Sequence, residues 1–138
     1  MSKRVPVVML FVFVVFCFLS GNALAVVNMK EGLWEITMSM EMPGMPMKMP
    51  PQTHTQCLTK KDMVPQKEEP NQECKMIKHD IKGDTVAWVI ECKTREGTAV
   101  SNGKVTYKGN AFEGVVKVKH AGMEMTQNLK GKWIGQCK

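Results

Sequence analysis

Apolar and polar residues alternate with a period of two through most of the chain. Across residues 33–42, Trp34, Ile36, Met38, Met40 and Met42 fall on one side and Glu35, Thr37, Ser39 and Glu41 on the other. That is the signature of a half-buried strand. Pro43-Gly44 breaks it, and Pro46, Pro50 and Pro51 exclude a central strand from residues 45–51, which predict an extended loop or sheet edge. Residues 52–58 predict a second strand. Thr59-Lys60-Lys61-Asp62 has the form of a capping box and predicts one short helical turn. Residues 64–73, with Pro65, Pro70 and the run Lys67-Glu68-Glu69, predict a polar loop.

Further strands are expected at 74–82, 85–93, 99–107 and 111–120, with turns at Gly83-Asp84, Arg95-Glu96-Gly97 and Lys108-Gly109-Asn110. Ala121-Gly122 opens a last strand in which Met123, Met125, Leu129 and Trp133 alternate with Glu124, Thr126, Lys130 and Lys132. One polar face throughout implies an all-β antiparallel meander of about 7–8 strands around one core. A small barrel or strongly bent sheet manages the edges best, and a sandwich is the alternative. The expected inner face comprises Trp34, Ile36, Trp88, Ile90, Phe112, Val116, Val118, Leu129 and Trp133.

The beginning of the chain reads as an address. Lys3 and Arg4 precede an uncharged apolar run over residues 5–19, and Ala23-Leu24-Ala25 offers a small-x-small cleavage site. Residues 1–25 are therefore expected to be a signal peptide and residues 26–138 a single exported β domain. The apolar run falls short of the roughly 20 residues of a membrane span, so no span is expected after cleavage. Cys17 follows Val15-Phe16 rather than small residues, which argues against a lipoprotein signal.

Setting aside Cys17 leaves Cys57, Cys74, Cys92 and Cys137, an even count that reads as two disulfides in an exported domain. No Cys-x-x-Cys is present. Of the three possible pairings, the expected one joins Cys57 to Cys74, stapling the long loop, and Cys92 to Cys137, tying down the C-terminus. The formal charge of +6 falls to +4 without Lys3 and Arg4, and the lysines are scattered. Nucleic-acid binding would call for a basic stripe with interleaved aromatics, and Tyr107 is the single tyrosine. A monomer with a solvated, weakly basic surface is expected.

Several stretches together resemble a known bacterial family. They are Gly32-Leu33-Trp34-Glu35, Met42-Pro43-Gly44-Met45-Pro46, Cys57-Leu58-Thr59, Cys74, Glu91-Cys92, the run from Gly103 to Gly109, and the terminal Gly131-Lys132-Trp133-Ile134-Gly135-Gln136-Cys137. Over almost the whole exported part, the chain resembles the domain of unknown function 3617 family. The resemblance implies a small exported four-cysteine protein in the periplasm of a Gram-negative bacterium. It supplies no activity and no site residues.

The chemistry left to weigh is sparse. His54, His79 and His120 sit in no Ser- or Cys-centred motif, and the glycine-rich phosphate loop and His-Glu-x-x-His are absent. The expectation is no enzyme and no cofactor. The most distinctive segment holds six methionines within the twelve residues from Met38 to Met49. Met38 and Met40 continue the face of Trp34 and Ile36, and Met123 and Met125 lead into Leu129, so these read as core filler. Met45, Met47 and Met49 lie among prolines, and their segment is expected to fold back over the open end of the sheet.

The function expected is a structural module, or one that binds an apolar ligand or protein partner. The alternative is soft-metal binding, Cu(I) or Ag(I), through Met42, Met45, Met47, Met49 and His54, because thioethers and imidazole are soft donors.

Overall fold

The computed structural model describes residues 26–66 and 70–138; the expected signal peptide lies outside them. Seven strands form one antiparallel sheet: β1 (Gly32–Glu41), β2 (Gln52–Leu58), β3 (Glu73–Lys82), β4 (Thr85–Thr94), β5 (Gly97–Tyr107), β6 (Ala111–His120) and β7 (Met123–Gly135). Their spatial order is β2-β1-β7-β6-β5-β4-β3. The alternation read from the sequence sets the faces, as in β4, where Val86, Trp88, Ile90 and Cys92 are buried and their neighbours are not. The meander runs from β3 to β7. The last strand then returns against β1, and β2 takes the far edge.

This order puts β2 and β3 on opposite edges, so the chain between them must cross the sheet. It crosses the inner face. Met63, Val64 and Pro65 are buried there, and three inner-face side chains hold the segment by its polar groups. The Tyr107 hydroxyl donates to the Met63 carbonyl. Trp88 Nε1 donates to Gln66 Oε1 at 2.9 Å, and Gln56 Nε2 reaches the Val64 carbonyl at 3.5 Å. The polar loop expected at 64–73 is thus, in its first part, a buried strap. The apolar triplet Met63-Val64-Pro65 substitutes for a second layer, burying the face that an open sheet would leave wet.

The capping box does not start a helix. Thr59 and Asp62 exchange both backbone hydrogen bonds, at 3.1 and 3.0 Å, and the Asp62 amide also lies 3.3 Å from Thr59 Oγ1. Hydroxyl-to-amide capping serves a tight turn as well as a helix, and here the extended strap follows.

Beneath the strap, Trp34, Tyr107 and Phe112 form a cluster with centroids 5.3–5.9 Å apart. Glycines make room for the largest rings. A Cβ on Gly131 would meet Phe112 Cε1 at 1.9 Å, and one on Gly103 would meet Trp88 at 2.1 Å. Each glycine is the cross-strand partner of the ring that covers it. Of the expected inner face, Trp34, Ile36, Trp88, Ile90, Phe112, Val116 and Leu129 are buried, while Val118 and Trp133 pack against the cluster partly exposed. The Trp133 ring carries Lys30 Nζ 3.4 Å from its centroid, a cation–π contact at the sheet's end.

The disulfides correct the expected pairing: Cys57 joins Cys137 and Cys74 joins Cys92. With β2 and β3 on opposite edges, Cys57 and Cys74 are kept apart. Cys74 instead sits directly opposite Cys92 in the β3–β4 ladder. Cys57 is paired with Leu33, which pairs with Gly135 on its other side, so the chain leaving β7 needs only to step over β1 to reach it. Ala121-Gly122 is a two-residue turn with φ of 50° and 77°, the geometry of a tight hairpin turn.

Candidate functional site

The strap covers one half of the inner face and leaves the other open. Along β1 the burial fades from Trp34 and Ile36 to Met38 and Met40. The neighbouring strands behave alike, from Leu129 to Gln127 and Met125 on β7 and from Val116 to Val118 and His120 on β6. The open half is a cleft of about 820 Å³, within the size range of small-ligand sites. Its apolar lining includes Met38, Met40, Val118, Met125, Ala99 and Cys92. Its polar lining includes Gln52, His54, Gln66, Ser101, His120 and Gln127.

Several of these polar groups are already engaged. Gln66 Nε2 donates to Ser101 Oγ at 3.1 Å while its Oε1 takes the Trp88 indole proton, so the end of the strap builds the cleft floor. Thr94 Oγ1 donates to the Gly97 carbonyl at 2.8 Å and lies 3.2 Å from His120 Nε2. With the hydroxyl proton committed to that carbonyl, His120 Nε2 is the donor to Thr94 Oγ1. His54 differs. Its Nε2 is screened from solvent and has no hydrogen-bond partner, and Gln56 Oε1 beside it on β2 shares that condition. An unpaired buried polar atom costs roughly 1–3 kcal/mol.

The Tyr107 hydroxyl belongs to the core rather than to the cleft. Burial, and secondarily the nearby Asp62 charge, holds its phenol far above the ordinary range, so it stays a neutral donor to the strap.

The expected metal set is not brought together. Met42 is half-buried just past β1, whereas Met45, Met47 and Met49 are 64, 83 and 48% exposed. None of these four forms part of the cleft wall, where His54 sits. The Met-Pro segment does not fold over the sheet, since residues 63–66 have taken that place. Of the methionines read from sequence as core filler, Met38 packs against the core cluster and also lines the cleft, Met40 and Met125 line the cleft, and Met123 at the hairpin tip is 64% exposed. The signal that could have found them is position: each lies toward the strand end remote from the tryptophans. Among the described residues, no group of three or more His, Cys, Asp and Glu is placed to hold a metal, and no helix is long and apolar enough to cross a membrane.

Compared with known proteins, residues 29–137 match the profile of the family described as protein of unknown function (DUF3617). The match covers most of the chain, which belongs to that family. No curated protein and no solved structure matches it.

Proposed function

We propose that this DUF3617 member is a non-enzymatic, exported binding domain that acts as a monomer in the periplasm, with its ligand site in the cleft beyond the strap. The observation that carries the reading is the cleft wall itself. Apolar side chains and hydrogen-bonding groups line it together, among them Met38, Met40, Met125, Ser101, His120 and Gln127. Such a mixture suits a ligand held by apolar contact and oriented by a few polar groups. The two disulfides and the leader-like residues 1–25 support an oxidising compartment.

The test is to recover the protein from cells expressing the full chain and identify by mass spectrometry what it retains. A parallel Ala99→Trp variant places an indole in the cleft. Retention by the wild type and loss in the variant support the reading. Equal retention by both moves the site elsewhere. A second site is favoured by the exposure of Met45, Met47 and Met49, an adaptable apolar loop suited to a protein partner or a soft metal.

A further inference from the structure

The sheet register shows the cleft to be long and narrow. Each of the six strands from β2 to β4 gives it two inner-face positions two residues apart. On β1 they are Met38 and Met40, on β5 Ala99 and Ser101. Two residues of strand span about 7 Å, which sets the width. The pair also moves along the strand direction from one strand to the next. The row of cross-strand partners that starts at His54 runs through Ile36, Gly131 and Phe112 to Tyr107. The cleft meets β5 at Ser101 instead, six residues from Tyr107, a displacement of about 20 Å at roughly 3.4 Å per residue. The four strand spacings from β2 to β5 add about 19 Å across. The cleft is thus a diagonal trough about 25–30 Å long over the sheet surface.

We propose that this trough holds a single long acyl chain, with the head group of that lipid at the β4–β5 turn. The proposal rests on the reading of the cleft as the ligand site and names the class of ligand.

Three observations carry it. First, the shape selects the ligand: sheets twist and coil, so a diagonal over one bends, and its occupant must be long, one chain wide and flexible. A rigid fused-ring molecule cannot follow it. Second, the middle is apolar and adaptable. Met38, Met40, Met125 and Val118 lie there, the methionines unbranched and able to follow a chain, while the Ser101 hydroxyl is engaged by Gln66. A peptide would bring two backbone polar groups per residue into that stretch, each needing a partner. Third, apart from the histidines, the ionisable side chains of the lining are confined to one end. They are Arg95 and Glu96 in the β4–β5 turn, beside the hydrogen-bonded Thr94 and His120. A polar head finds partners of either sign there, and a hydrocarbon tail runs from it toward β1.

The test is fluorescence titration of cis-parinaric acid, a fatty acid whose emission rises in apolar surroundings, into the full chain's exported product stripped of retained material. Wild type is expected to bind one molecule with a Kd of about 10 μM or tighter. Saturated fatty acids from octanoate to palmitate should displace it about fivefold more tightly for every two methylenes added, and cholesterol should not displace it. Palmitate and palmitoyl lysophosphatidylethanolamine form separate arms, and the tighter one identifies the head group. Met40→Lys and Met125→Lys, each putting a charge in the middle of the trough at a half-buried position, should each weaken binding at least about tenfold. Met47→Lys, on the exposed loop, should bind as wild type does.

The proposal is overturned if wild type shows no saturable binding of parinarate, or if neither palmitate nor the lysolipid displaces it. It is equally overturned if cholesterol displaces as well as palmitate, or if Met47→Lys loses as much affinity as Met40→Lys. Retained material that Ala99→Trp displaces but that carries no acyl chain, found together with failed parinarate binding, would leave the cleft standing and remove the lipid. Failure of both would remove the cleft as well.

Discussion

Replacing Trp88 by alanine tests the joint between sheet and strap. The ring is 1% exposed, lies over Gly103 and donates its indole proton to Gln66. Truncation leaves a cavity worth roughly 3–5 kcal/mol, and the orphaned Gln66 carbonyl pushes the value toward the upper end. That is a large part of the roughly 5–15 kcal/mol that holds a domain of this size. Trp88→Phe separates the two contributions, since it keeps most of the ring and loses the N–H, and should cost about 1–2 kcal/mol. Gln66→Ala leaves the buried indole unpaired and should cost a similar amount. If the bond holds the strap, the Trp88→Phe, Gln66→Ala pair should lose about 1 kcal/mol less than the sum of the singles. Urea unfolding followed by circular dichroism, with the disulfides intact, measures all four. A loss below about 1 kcal/mol for Trp88→Ala would refute the packing described for this face.

Three further outcomes follow from the same contacts. The Tyr107 phenol titrates above its ordinary value in the folded chain, so its contribution is fully present below pH of about 10 and is lost as pH rises beyond it. Tyr107→Phe should cost about 1 kcal/mol at pH 7 through the lost hydrogen bond and flatten the alkaline decline in unfolding stability. Gly131→Ala would drive a methyl into Phe112 and should destabilise by about 1–3 kcal/mol in urea unfolding. Removing the Cys57–Cys137 bridge, which spans 80 residues, should cost about 4.5 kcal/mol and removing Cys74–Cys92, which spans 18, about 3 kcal/mol. Non-reducing peptide mapping with thermal unfolding of each double alanine variant checks both the pairing and the ranking.

The strand positions were legible because alternation reports which way each side chain faces, as Trp34, Ile36, Trp88 and Phe112 illustrate. Alternation says nothing of which strand lies beside which. That is why the cysteine pairing failed: joining Cys57 to Cys74 assumed that consecutive strands are neighbours, and β2 and β3 are the two edges. The strap was hidden for a different reason. Met63-Val64-Pro65 is a short apolar run among lysines, glutamates and prolines, with no period to read, and its burial follows from the crossing that the strand order forces. The cleft was hidden with it. Trp34, Ile36, Met38 and Met40 form one uniform apolar face in the sequence, and only the strap's end at Gln66 divides filled core from open wall. The methionine-rich segment was visible at once, yet its two parts part ways at Met42.

The central claim is that the open half of the inner face is where this protein binds, and methionine methyl groups report on it directly. With ¹³C-labelled methionine methyls, the protein stripped of retained material is titrated with the extracted material. The account predicts that the Met38, Met40 and Met125 methyls shift together while Met45, Met47, Met49 and Met123 stay unchanged. Shifts confined to Met45, Met47 and Met49, with the cleft methyls still, would contradict it.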